Sequence, residues 1–438
     1  MPDGWAWSRI ASLVSINLGL THTPKYVESG IPFYSVKDIS NGYLDESNPK
    51  YVSQEEFNTF LEGAKPRKGD IIFCRVGTIG KPHIVNVDYP FGIFVSVGFF
   101  RKYSDRINSK YIMDWMNSSL FYEQVDYNVK GGVIKNLNTG WLSEFLIPIP
   151  PEKEQQQIVS LNEEIVSKIE LLETNKIELQ SAINKSKSKI LDLAIHGKLV
   201  PQDINEEPAS VLLDKLRTEK EEKIAKGELK RDKNDSYIYK GSDNCYYEKL
   251  NGKEICIDDE IPFEIPENWT WKRGREIFLP MFTRTPGKSG SFKYIDIDAI
   301  DNKQHKITIP KTIEAIKAPS RASRGVDTGD VLFSLVRPYL ENIALIKEEH
   351  ADCIASTGFY VCRPNKAVFP EYLFYLMTSN YVIKGLNEFM KGDNSPSISG
   401  DDVAKWLYPI PPIEEQKRIV RIINELHTVL DKIQTNVI

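Results

Sequence analysis

The sequence predicts an α+β chain in which one mixed module occurs twice, the copies joined by long helices that pair as an antiparallel coiled coil. Three observations carry this reading. A collinear repeat recurs at a spacing near 261 residues, an apolar stripe follows each copy, and a length of 438 residues exceeds one ordinary core.

Each copy opens on an alternating aromatic pair, Trp5-x-Trp7-x-Arg9 and Trp269-x-Trp271-x-Arg273, which reads as a strand. Thr23-Pro24 then matches Thr285-Pro286. Gly69-Asp70-Ile71-Ile72-Phe73 matches Gly329-Asp330-Val331-Leu332-Phe333, a turn feeding a buried strand. Ser96-Val97-Gly98-Phe99 matches Ser356-Thr357-Gly358-Phe359. Helical spacing of apolar residues follows, from Tyr111 to Phe121 and from Glu371 to Ser379. Each copy closes on an extended proline-rich joint, Ile147-Pro148-Ile149-Pro150-Pro151 and Tyr408-Pro409-Ile410-Pro411-Pro412. Behind each joint Glu152 and Glu154, or Glu414 and Glu415, suit the positive end of a helix starting there.

The helix behind the first joint is expected over about 152–195 and the one behind the second over 413–438. Ile158, Ile165, Leu172 and Leu179 in the first, with Ile419, Leu426 and Ile433 in the second, lie at the alternating spacing of a coiled-coil seam. The alternative is that each helix packs only on its own module. A break at Gly197-Lys198-Leu199-Val200-Pro201 precedes a charged helix from about Ala209 to Leu229. The polar tract after it, with Glu254, Asp258, Asp259 and Glu260, reads as a solvated linker. The expected division is therefore 1–151, first module; 152–260, helical spacer and linker; 261–412, second module; 413–438, short distal helix.

Composition narrows the function. Apolar content of 41% with 27% charged residues is that of a globular chain. Neither a signal peptide nor a run of ~20 apolar residues is expected, so the expectation is a cytoplasmic protein without a membrane partner. Five cysteines without a C-x-x-C pair read as reduced thiols, and no metal site is expected. Pro286-Gly287-Lys288-Ser289 lacks the earlier glycine of a phosphate loop, Phe282 standing there. Asp296, Asp298 and Asp301 could suggest a metal-dependent nuclease, but the first two read as one face of a strand with a structural role. No catalytic residue is expected.

Cations concentrate inside both modules, although the net charge is −5. Arginines in loops bordering strands suit phosphate contacts and guanine readout, the alternative for each being a solvated surface charge. A nucleic-acid surface would then be local rather than global.

At this point the residues resemble a family. Ser320-Arg321-Ala322-Ser323-Arg324, Val336-Arg337-Pro338, Ala355-Ser356-Thr357-Gly358-Phe359, both I-P-P…E-Q joints and Leu193-Ala194-Ile195-His196-Gly197-Lys198-Leu199-Val200-Pro201-Gln202 are similar to type I restriction–modification specificity subunits. The resemblance implies two target-recognition domains, each reading part of a split double-stranded DNA target, and helical spacers on which methyltransferase subunits dock. S-adenosylmethionine, ATP and Mg would sit on partner subunits and no cofactor in this chain; a restriction endonuclease subunit is a further partner the resemblance allows. The cations assigned to DNA are Lys25, Arg67, Lys68, Arg75, Lys81 and Lys130 in the first module, and Arg284, Lys288, Arg321, Arg324, Arg337 and Lys391 in the second. The first module departs from the pattern, with Gly63-Ala64-Lys65 in place of the A-S-R triplet. The alternative reading is a two-headed protein-binding adaptor without DNA readout.

Overall fold

The computed structural model describes residues 1–128, 136–231, 235–250 and 252–437. The chain forms two compact units, Met1–Thr174 and Asn175–Ile438, the division falling inside the first long helix.

In the first unit one antiparallel sheet has the order Val14–Leu18, Val97–Lys102, Ile71–Cys74, Gly80–Ile84. The strand after Gly69-Asp70 is buried on both faces, as an unbroken β-branched run requires. Ile71 and Phe73 face the helices Ser109–Asn117 and Ser119–Asn128 through Tyr111, Trp115, Met116 and Phe121. Ile72 and Cys74, the alternate residues, face a second sheet through Tyr34, Phe91 and Ile93. That sheet has the order Tyr26–Val27, Lys50–Val52, Ile31–Tyr34, Gly92–Ile93, with its last pair parallel.

The second unit repeats this plan. Its first sheet runs Phe278–Leu279, Phe359–Pro364, Val331–Ser334, Ile343–Leu345, and its second runs Lys311–Glu314, Ser291–Ile295, Ile354–Ser356, Ala322–Gly325. The last strand is the A-S-R segment. Its counterpart, Glu62–Ala64, is a 3-10 turn, so the missing triplet coincides with a missing strand.

Both proline-rich joints are strands, and their partners are the W-x-W segments. Ala6–Arg9 pairs antiparallel with Leu146–Ile149, and Thr270–Arg273 with Leu407–Ile410. A tyrosine hydroxyl braces each joint, Tyr111 on the Pro148 carbonyl at 2.6 Å and Tyr372 on that of Pro409 at 2.9 Å.

The long helices span Glu152–Ile195 and Ile413–Val437, and the charged helix Ala209–Ala225. Among described residues, no helix is long and apolar enough to cross a membrane. Within the second unit the two long helices run antiparallel: Lys187 reaches Asp431 at 2.5 Å, while Gln202, beyond the first helix, reaches Glu415 at 2.7 Å.

The continuous seam expected from the stripes is realised only in part. Ile158 packs on the first module's core and Ile419 lies inside the second's, while Leu179 is half-buried. Ile165 and Leu172 are exposed, Leu172 by 68%, and so are Leu426 and Ile433. For Ile165 and Leu172 the physical reason is reach. With Lys187 opposite Asp431, the shorter helix runs out about six residues further on, and every residue from Ser160 to Glu178 is exposed.

Two further expectations need correction. The tract read as a solvated linker contains a three-stranded antiparallel meander, Ser236–Lys240, Tyr246–Leu250 and Lys253–Cys256. Its charges are used: Glu248 and Glu260 both bind Arg273, at 2.9 and 2.7 Å. Asp296 and Asp298 do not share a strand face either. The strand ends at Ile295, Asp296 caps the 3-10 turn Ile297–Ala299, and Asp298 pairs with Lys311.

Candidate nucleic-acid interface

The ends of the second module's strands bring several cations to a common edge. Thr357 N–H donates to the Arg321 carbonyl (2.9 Å), Leu335 N–H to Gly358 (2.8 Å) and Arg337 N–H to Pro396 (2.8 Å). Lys391 and Ser397 exchange backbone hydrogen bonds at 3.0 Å. This ladder joins Arg321, the turn after Ser356, Arg337 and Lys391, residues far apart in sequence.

Ion pairing sorts the candidate cations. Arg284 is committed to structure: its guanidinium donates to the carbonyls of Ala351 (2.6 Å) and Cys353 (3.2 Å) and lies 3.6 Å from Asp327. Asp327 is also held by Arg363 at 2.7 Å. It therefore does not neutralise Arg321 or Arg324, the nearest arginines in sequence. In the first module Arg67 is paired with Glu62, and Lys68 with Asp88 at 2.9 Å. Among the described residues, Lys25, Arg75, Lys81, Lys288, Arg321, Arg324, Arg337 and Lys391 have no carboxylate partner within salt-bridge distance. Lys130 lies outside the described residues.

Arg75 and Arg324 stand out chemically. Each is half-buried with an Nε that has no hydrogen-bond partner. Burial holds the Arg75 guanidinium below its ordinary pKa, the direction expected when a cation is desolvated without a counter-ion. A phosphate or a guanine edge would satisfy such a group. Lys81, with a left-handed backbone at φ 52°, lies just past its hairpin tip, whereas Arg337, φ 47°, precedes its own; Gly77, φ 76°, stands where Arg337 does.

Other basic residues of the same clusters are structural. Arg101 clasps the buried Asp70 with two nitrogens, at 3.0 and 2.7 Å, and Arg363 meets Asp330 at 3.4 Å. Sequence pattern alone does not separate a cation that locks a turn from one that faces solvent. Nor does the sequence mark the hairpin turn Pro338–Leu340, because Pro338 is its only turn signal.

The comparisons agree with this architecture. Residues 2–181 and 266–438 match the profile of the type I restriction modification DNA specificity domain. The Escherichia coli EcoAI specificity subunit is 22% identical over 495 aligned positions, covering 99% of this chain and 79% of that one. The EcoKI specificity subunit of Escherichia coli strain K12 is 20% identical, covering 100% and 85%. A chain from the solved type I R-M system studied for complex assembly and conformational transition superposes with a TM-score of 0.57 at 17% identity, covering 100% of this chain and 93% of that one. The chain belongs to the type I restriction–modification DNA specificity family.

Proposed function

We propose that this specificity subunit reads a bipartite duplex DNA target, one part per module, and positions methyltransferase subunits that modify it. The observation that carries this reading is that, among the described residues, eight of the eleven candidate cations have no carboxylate partner and lie at or near strand ends and in loops, in a chain whose net charge is −5. Unpaired guanidinium groups at fixed positions suit base edges and phosphates, and the overall acidity limits indiscriminate binding elsewhere. Catalysis and the S-adenosylmethionine, ATP and Mg it needs belong to the partner subunits; a restriction endonuclease subunit is a further partner this reading allows. The assembly acts in the cytoplasm.

The test is genome-wide mapping of methylated adenines in a host with and without this chain. A two-part motif that appears only with the chain is the expected result. Replacing 33–138 with the same stretch of a related subunit should change one part of that motif. A change in both parts would defeat independent reading by the modules.

A further inference from the structure

We infer that the hairpin turn Pro338–Leu340 is an apolar reading head: Tyr339 and Leu340 contact base edges in the part of the target read by the second module. The inference rests on the DNA-reading function proposed above.

The turn is built against its own preferences. It joins the strands Val331–Ser334 and Ile343–Leu345, and residues on both sides have left-handed backbone, Arg337 at φ 47° and Glu341 at φ 57°. Residues with a Cβ persist in that region only where their surroundings impose it, and such positions cluster at functional sites. Here the surroundings are explicit. Arg337 N–H donates to Pro396, and its guanidinium to the Asn394 carbonyl at 3.1 Å. Leu340 N–H and Glu341 N–H close the turn on Arg337 and Pro338, both at 2.9 Å. The Asn302 amide donates to the Leu340 carbonyl at 2.7 Å, and His305, itself left-handed, lies 3.9 Å from Glu341.

A turn fixed from so many directions would normally bury its large side chains or carry polar ones. This one buries Pro338 and leaves Tyr339 45% and Leu340 40% exposed. Tyrosine on a rigid support offers a large contact area with little conformational entropy left to lose. The charges on the exposed side favour a polyanion: among the described residues, Arg337 before the turn and Lys391, linked to it through Ser397, have no carboxylate partner, while Glu341 after the turn is half-buried beside His305. Apolar side chains beside such cations suit a polyanion with apolar features in its groove, such as thymine methyl groups or an unstacked base step. The first module has a hairpin at the same place, since Val76 bridges Asn136 as Val336 bridges Ser397. Its tip carries Gly77 and Thr78, with Ile79 buried. The contact is therefore particular to one part of the target.

The experiment produces the full chain with methyltransferase subunits in a host lacking adenine methylation and maps methylated adenines for wild type, Tyr339→Phe, Tyr339→Ala and Leu340→Ala. The two alanine variants should tolerate one or two changed positions in a single part of the motif, with about ten-fold more methylation at mismatched sites. The other part should stay unchanged, and Tyr339→Phe should remain close to wild type. An unaltered motif in both alanine variants, or relaxation in both parts, would overturn the inference. So would an unaltered motif with reduced recovery of methyltransferase subunits, which would make the turn a protein contact. Thermal melting identifies a variant that fails to fold, and the other alanine variant then carries the test. A wild-type complex that methylates no two-part motif would instead refute the DNA-reading function itself.

Discussion

A single glutamine explains why the joint recurs. Gln155 and Gln416 are buried at the start of their helices, where a polar side chain must be fully bonded. Gln416 accepts from Phe369 N–H at 2.7 Å and donates to the carbonyls of Pro411 and Ala367, both at 2.9 Å. Gln155 does the same with Asn108 N–H at 2.9 Å and the Pro150 carbonyl at 3.1 Å. Each glutamine fastens the proline joint to the loop before the module's helices. Gln416→Ala leaves buried backbone groups unpaired and should cost about 2–4 kcal/mol, measured by denaturant unfolding; an unchanged midpoint would contradict that role. The recurrence of E-Q was legible in the sequence, but its function was not, because repetition identifies a position without naming its partners. Asp330 behaves differently from an ordinary carboxylate. Although Asp327 N–H and Arg363 favour its charge, burial dominates and pushes it up to about 6. An unfolded Asp titrates near 4, so the stabilisation this group contributes is full below about pH 4 and is lost as pH rises through about 6. Asp330→Asn should therefore gain on wild type between pH 4 and pH 6, by up to ~1.4 kcal/mol per pH unit. Unfolding curves at pH 4, 5.5 and 7 that ran parallel for the two proteins would reject this.

At the scale of elements, the strands, helices and joints carried by strong periodicity or repetition were legible, and the meander was not. Tyr237, Tyr239, Tyr246 and Tyr247 lie within its strands, yet the surrounding Lys, Asp and Glu residues masked the alternation. The meander changes what one motif does. In the first module Trp7 is 49% exposed, whereas Trp271, its counterpart, is fully buried under Ile238, Ile257 and Phe263. The same W-x-W pattern thus builds an open strand in one unit and a closed one in the other. Trp271→Ala should cost about 3–5 kcal/mol, as deletion of a buried aromatic does. Trp7→Ala should cost under about 1 kcal/mol, as an exposed position does. Equal losses in thermal melts would mean that the meander does not cover the second unit in solution. The cations show the same limit on legibility. Their clustering could be read from the chain, but Arg67, Lys68 and Arg284 differ from Arg321 only in which acids the fold brings near them.

For the whole molecule, the consequential stretch is the bare middle of the first long helix. Gln155 and Val159 anchor its start to the first module, and Ile183, Ala194 and Ile195 are buried towards its end. From Ser160 to Glu178 every residue is exposed, including Leu161, Ile165, Ile169 and Leu172. An insertion there leaves both anchored ends intact and alters only length and rotational phase. Four residues between Glu170 and Leu171 add about 6 Å and turn the following helix by about 40° beyond one full turn. If the helix is the spacer, the unread gap in the target should lengthen by one or two base pairs, at about 3.4 Å each, while both read parts stay the same. Two inserted residues add only about 3 Å but change the phase by about 200°. One module would then present its cations to the wrong side of the duplex, and specific methylation should be lost although each unit still melts as before. The exposed apolar residues sharpen the distinction, since a methyltransferase subunit seated on them would also feel the change of phase. Loss of partner recovery in both variants would assign the stripe to docking, whereas an unchanged gap in the four-residue variant would show that the helix does not set the spacing.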